Sequence, residues 1–362
     1  MFLILSLSKH EGGQPMNQPK QARMLKGVVA TVAACLCVTL VAPETALAWG
    51  ASGHRLIGEI ASRALPLEVP EFLRTPEAAR QIGEVSREPD RSKGSGEPHD
   101  SDADPAHHIN VGDDLKAGRG PSLSALPPNR EAYDTALRAA GSDEYRAGYL
   151  PYAIADAWEQ LSTDLAYWRA DIAGAKYATT PSDRTWFLKD QYVREGLTIR
   201  DLGFLSHFVG DGSQPMHVSV HFDGWGNFPN PQNFATERGL HAAFEGAFIR
   251  AWVPASAIPA EMAPYRDCRC AIQKRISDYL IATQKEVVPL FRLQKEDAFD
   301  GRHESGKTFA ARRLAAGASE LRDLVVDAWH RSADASVGYP PIAVRDVESG
   351  KTNPLGSLQG LD

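Results

Sequence analysis

The chain has 362 residues and a formal net charge of −7, from 39 lysines and arginines against 46 aspartates and glutamates. So acidic a protein excludes nonspecific duplex binding through a basic face, and a polyanionic substrate then needs bound cations for local positive charge. No repeat or clear linker divides the chain, and four cysteines are too few for a disulfide framework, so packing must supply the stability.

Residues 1–48 read as a signal peptide. Lys20, Arg23 and Lys26 precede an apolar run over 27–42, and Ala46-Leu47-Ala48 is a small-x-small cleavage site. The run is too short for a comfortable membrane span. Met16 or Met24 is the expected functional start, and the protein is expected to be secreted or periplasmic. Cleavage after Ala48 makes Trp49 the first residue and removes Cys35 and Cys37. The remaining pair, Cys268 and Cys270, either closes a small loop or stays reduced; without a second cysteine pair it completes no zinc site.

Helical spacing begins at 55–65, with Leu56, Ile57, Ile60, Ala61 and Ala64 on the apolar positions. Residues 66–130, rich in Pro, Gly, Ser and Asp, read as extended loops with short helices. Helix returns over 131–173, where Tyr152, Ala155, Trp158, Leu161, Leu165 and Trp168 form a core stripe. Residues 193–209 are helical and 221–239 are loop. Helices follow over 240–252, 271–293 and 310–333. From Tyr339 onward, Pro340, Pro341, Gly350, Pro354 and Gly356 predict a flexible tail over 339–362. Strand alternation is scarce, so the fold is expected to be all-α, a single mainly helical domain over 49–338 with long loops.

One stretch carries most of the chemistry: His207-Phe-Val-Gly-Asp-Gly-Ser-Gln-Pro-Met-His217. His207 and Asp211 fall one turn apart on a helix face, a common way to hold a divalent ion. Phe204, Leu205, Phe208 and Val209 make the helix apolar, so polar residues on it need partners. Gly210, Gly212 and Pro215 are expected to break or kink the helix and turn His217 toward a second ion. Further donors stand at Trp49 and His54, at Asp90 ahead of His107, and at the i,i+4 pair His241 and Glu245. Nitrogen and oxygen donors without cysteine suit zinc, and also tolerate manganese or cobalt. His221, His303 and His330 read as packing or surface histidines.

The runs Trp49-Gly-x-x-Gly-His54, His107-x-Ile109-Asn110, His207-Phe-Val-Gly-Asp211-x-x-Gln214-Pro215-x-His217 and Leu240-His241-x-x-x-Glu245 resemble the S1/P1 nuclease family, in the family's order. That family is related to the zinc-dependent bacterial phospholipases C, and the resemblance implies a mainly helical fold around three Zn2+. It implies that Asp90, His107, His207 and Asp211 hold the first zinc. Asp211 would bridge to a second, held by His54 and by the free amine and carbonyl of Trp49. His217, His241 and Glu245 would hold the third. It also implies attack of a metal-activated water on phosphorus, with Asp90 orienting the water and Lys93 reaching the phosphate.

Several positions depart from the family pattern. Glu88-Pro89-Asp90 replaces an aromatic-Ala-Asp run, which leaves Asp102 and Asp104 as rivals to Asp90. Lys93 stands for an arginine, His108 for a base-stacking aromatic and Asn110 for a base-reading Asp. Ser213 stands where another histidine is common, and Glu245 replaces the more usual Asp. The function implied is an exported zinc-dependent endonuclease on single-stranded DNA and RNA, with 3′-nucleotidase activity. It would be a monomer without stable membrane association, taking single-stranded nucleic acid and nucleotides as substrate. A phospholipase C is the alternative, disfavoured by the short Trp49–His54 interval, and a non-catalytic zinc-binding protein is a third reading.

Overall fold

A computed structural model describes residues 49–93, 96 and 98–360. The signal-peptide reading of 1–48 lies outside the described residues. In chain order the helices are α1 (Gly50–Arg63), α2 (Pro76–Val85), α3 (Glu88–Arg91), α4 (His99–Ala103), α5 (Arg130–Ala139), α6 (Glu144–Ala147), α7 (Leu150–Tyr177) and α8 (Pro181–Ser213). There follow α9 (Leu240–Ala242), α10 (Ile249–Trp252), α11 (Ile272–Gln284), α12 (Val287–Lys295), α13 (Glu304–Ser332), α14 (Val344–Glu348) and α15 (Leu355–Gln359). The two-residue strands β1 (Ser336–Val337) and β2 (Ile342–Ala343) pair antiparallel, Ser336 with Ala343 and Val337 with Ile342. The all-α expectation holds. No described helix is long and apolar enough to cross a membrane.

The frame is the α7–α8 hairpin, 28 and 33 residues long. So short a link forces antiparallel neighbours. Thr180 starts α8, its Oγ1 accepting the Asp183 N–H at 3.1 Å, with Pro181 at the first helical position. Helix α13 packs on both members of the hairpin and on α1, and its Leu314, Leu321 and Leu324 are buried in the same core as Ile57, Leu161 and Leu205. Each such aliphatic side chain contributes roughly 1.5–3 kcal/mol of burial. The expected stripe on α7 is core: Tyr152, Ala155, Trp158, Leu161 and Leu165 are all buried, and Trp168 is half-buried.

Several expectations are corrected. Helix α8 runs unbroken through Gly210 and Gly212 and ends only at Ser213. The two glycines serve close packing, because a Cβ would lie 3.0 Å from His54 Nδ1 at position 210 and 2.7 Å from Tyr279 at position 212. The turn comes at Gln214-Pro215, where one 3-10 turn (Pro215–Val218) begins. Residues 131–173 are divided into α5, α6 and the start of α7, with Gly141 and Gly148 at positive φ between them. Residues 66–130 are loops with short helices, as read from the sequence, the helices being α2, α3 and α4. The helix expected over 271–293 divides at Lys285 and Glu286 into α11 and α12.

The flexible tail is also corrected. Val344 and Val347 of α14 are buried against Ala166, Ala170 and Ala173 of α7. Arg169 Nη1 reaches Glu348 at 2.9 Å, and the Gly338 N–H donates to the Tyr167 hydroxyl at 3.0 Å. The Pro and Gly residues there shape turns around a small apolar cluster. Cys268 and Cys270 are joined by a disulfide in a surface loop.

Candidate metal centre

Six separate segments deliver the donors. Helix α1 carries His54, α3 carries Asp90, and the 3-10 turn Asp104–His107 carries His107. Helix α8 presents His207 and Asp211 one turn apart, and the turn after it presents His217. His241 lies on α9 and Glu245 on the π turn Ala243–Phe248 that continues it. This wide turn replaces the uniform helix expected over 240–252.

Asp211 is the hub. Its Oδ2 lies 3.1 Å from His107 Nδ1 and 3.3 Å from His207 Nε2. Its Oδ1 lies 3.5 Å from His54 Nε2 and 3.7 Å from His217 Nδ1. Asp90 Oδ1 approaches His107 Nδ1 at 3.8 Å and His207 Nε2 at 3.9 Å. Glu245 Oε2 lies 2.8 Å from His241 Nε2 and 3.7 Å from His217 Nε2. The donors form three buried groups: His54 with His207 and Asp211; Asp90 with His107 and His207; His217 with His241 and Glu245. Within each group the donor atoms lie within 4.8 Å of one another. Asp104 and Asp102 are exposed, so Asp90 is the carboxylate that joins the imidazoles.

The donor atoms fit divalent cations. His54 Nδ1 and Nε2, Asp90 Oδ1, Asp211 Oδ1, His217 Nε2, His241 Nε2 and Glu245 Oε1 are all buried without a hydrogen-bond partner. Each such orphan costs about 1–3 kcal/mol unless something else satisfies it. His241 Nε2 and Glu245 Oε2 approach closely yet lack hydrogen-bond alignment, as two lone pairs aimed at a common point would. Outer contacts orient the rings in the manner usual for ligating histidines. His207 Nδ1–H donates to the Ser86 carbonyl at 2.7 Å, and His217 Nδ1–H donates to the His107 carbonyl at 2.6 Å.

Electrostatics follow from burial against charge. Burial lowers the His54 imidazole well below its ordinary value, takes His107 down to about 3 and His108 to about 4. For His54 and His107 this favours the neutral form that ligates metal; at His207 burial also opposes charge, but Asp211 outweighs it and raises the imidazole. At His217 burial also opposes charge, but Asp211 and Glu245 outweigh it and raise the imidazole to about 9. Burial would raise Asp211, yet the His207 and His217 charges hold it well below the usual carboxylate range. Burial raises Asp90. Burial works against the Lys93 ammonium, but Asp90, at 3.2 Å, and Asp211 and Asp104 together hold its pKa above the ordinary value.

Trp49 is fully buried. Its indole Nε1–H is shared between the Gly210 carbonyl at 2.7 Å and Ser213 Oγ at 2.8 Å, and its ring tilts on Phe244 at 5.6 Å. Gly53 leaves room for it, since a Cβ there would lie 2.8 Å from Trp49 Cβ. Ser213, one of the departures, therefore fixes the first residue of the described chain onto the helix that carries Asp211. The Trp49 carbonyl accepts the Gly53 N–H at 3.1 Å.

A cleft of about 260 Å³ opens over the donors, lined by Lys93, His107, His108, Asn110, His217 and His241. All the sequence-predicted site residues are thus on the donor clusters, the cleft wall or the Trp49 anchor. Asn110 is half-committed, its Nδ2 donating to the Arg146 carbonyl at 2.8 Å. Sequence reasoning missed Phe222, Asp223 and Arg238, which also line the cleft, and Gln214, whose Nε2 donates to Glu245 Oε2 at 3.1 Å. Gln214 lay inside the quoted motif and could have been found there. The other three sit in a loop without periodicity. His221 is a packing residue, stacked on Trp225 at 3.7 Å, while His303 and His330 are on the surface.

Comparison with curated proteins returns no match. The family model described as S1/P1 Nuclease matches residues 49–305, a span that contains every donor above. On that match and the buried donor clusters, the chain belongs to the S1/P1 nuclease family, metal-dependent enzymes that hydrolyse the phosphodiester bonds of nucleic acids.

Proposed function

We propose that this nuclease is an exported enzyme that binds three Zn2+ and cuts single-stranded DNA and RNA, with 3′-nucleotidase activity. The observation that carries the reading is the set of three donor groups, buried and bearing orphaned nitrogen and oxygen atoms, beneath one cleft. Asp90, His107, His207 and Asp211 would hold one zinc. Asp211, His54 and the Trp49 amine and carbonyl would hold another, and His217, His241 and Glu245 the third. When bound, zinc supplies Lewis acidity that activates water and neutralises charge developing on the phosphoryl oxygens.

The chain's own residues supply the rest. Asp90 accepts a hydrogen bond from the attacking water and orients it. Lys93, positively charged beside Asp90, faces the phosphate as a point charge. His108, kept neutral by burial, and Asn110 form the wall that meets the base. The cleft of about 260 Å³ is of the size of one nucleotide, so it can seat the unit at which the strand is cut. Signal cleavage after Ala48 would expose the Trp49 amine, so export would also complete the site.

The test is hydrolysis by the secreted form of single-stranded DNA, duplex DNA, a 3′-nucleotide and phosphatidylcholine. Release of nucleotides that stops with chelator and returns with zinc supports the reading. Release of phosphocholine alone overturns it in favour of a phospholipase C, and bound zinc without any turnover favours storage.

A further inference from the structure

The cleft is poor in accessible positive charge for an enzyme acting on a polyanion. Two permanently charged cations line it, Lys93 and Arg238. The Lys93 side chain is only 15% exposed and is held between Asp90 at 3.2 Å and Asp104 at 3.7 Å. The Arg238 side chain is 78% exposed. It stands just ahead of the donor His241, so it borders the His217–His241–Glu245 group.

The exposed arginine is also held in place. Its Nε–H donates to Asp223 Oδ2 at 3.2 Å, and its guanidinium lies 5.7 Å from the centre of the Phe222 ring, within cation–π range. Asp223 is itself fixed, because its Oδ1 accepts the backbone N–H of Gly239 at 2.8 Å and of His241 at 3.1 Å. One carboxylate therefore ties the arginine to the start of the helix that carries His241. With Nε committed, the fork of Nη donors remains for an anion in the cleft.

We propose that Arg238 binds a backbone phosphate of the substrate strand next to the one being hydrolysed, on the His241 side of the cleft. This rests on the reading that the substrate is a single-stranded nucleic acid. It makes a strand with consecutive phosphates a better ligand than a single nucleotide, and it assigns Phe222 and Asp223 the work of positioning the guanidinium.

The test is binding of a fluorescein-labelled phosphorothioate oligothymidylate to the zinc-loaded enzyme by anisotropy, across a salt series. Arg238→Ala is expected to weaken binding about tenfold, the loss of one charge-assisted contact. It should also flatten the slope of log Kd against log salt by about 0.7, one phosphate contact on a single strand. Arg238→Lys should restore most of the salt slope. Arg250→Ala removes an equal charge from an exposed site outside the cleft lining and should match wild type. Equal behaviour of Arg238→Ala and Arg250→Ala overturns the proposal. Failure of the wild type to cut unmodified oligothymidylate overturns the proposed function instead, and the binding series still decides the role of Arg238.

Discussion

Asp211 bears more of the site than any other side chain, since both its oxygens face imidazoles within hydrogen-bonding or ligating reach. An amide keeps the shape but replaces one anionic oxygen with N–H groups that cannot ligate. Asp211→Asn is expected to lose bound metal and to lower phosphodiester turnover by on the order of a hundredfold or more. Metal analysis beside a turnover assay reads both, and near-normal turnover refutes the hub role. A second residue acts on stability instead. Asp171 on α7 is buried with both carboxylate oxygens unpartnered. Burial, with the Asp190 carboxylate beside it, raises it to about 8. The fold prefers its protonated form, so its contribution is complete below the ordinary value of 3.8 and is lost as pH rises toward about 8. Asp171→Asn should therefore melt higher than wild type at pH 7, by roughly 1–3 kcal/mol in stability, with the gain vanishing near pH 3. Equal melting at both pH values would remove this assignment.

At the level of elements, α8 combines two tasks: it is the longest helix of the core hairpin and the carrier of the hub. Its glycines separate the tasks. Gly210→Ala places a Cβ 3.0 Å from His54 Nδ1, and Gly212→Ala places one 2.7 Å from the Tyr279 ring. Alanine gains about 1 kcal/mol of helix propensity at either position, against about 1–3 kcal/mol of overpacking. Both variants should be mildly destabilised, but only Gly210→Ala should lower metal occupancy, because only there is the displaced group a donor. Thermal melts with metal analysis compare them. Periodicity made α7 and α13 legible in the sequence, since long apolar stripes must be buried somewhere, whereas α8 was read only over 193–209 and its first turns from Pro181, which carry no one-sided stripe, were missed. The i,i+4 pairs His207–Asp211 and His241–Glu245 were legible for the same geometric reason. The uninterrupted course of α8 was not, because a glycine kept for close packing has the same letter as one kept for a break. The Asp223–Arg238 contact was equally hidden, being a meeting of loop residues without period.

For the molecule as a whole, the segment over 339–360 matters because its valines complete a cover on α7 that composition alone did not reveal. Cutting the chain after Gly338 removes buried Val344 and Val347, each worth roughly 1.5–3 kcal/mol. The truncated protein should melt lower while its metal content is unchanged, the α14 contact being with the α7 alanines and not with any donor. Loss of metal on truncation would contradict that separation. The donor set was readable because resemblance ordered residues from six distant segments; spacing alone linked only those one helical turn apart. Asp90, with no periodic partner, needed the folded chain to choose it over Asp102 and Asp104. The most direct test of the account is the metal content of active enzyme beginning at Trp49. Three zinc ions per chain, one for each donor group, are expected, with activity lost on chelation and restored by zinc. A fully active enzyme holding no divalent ion, or one that keeps its turnover in chelator, would contradict it.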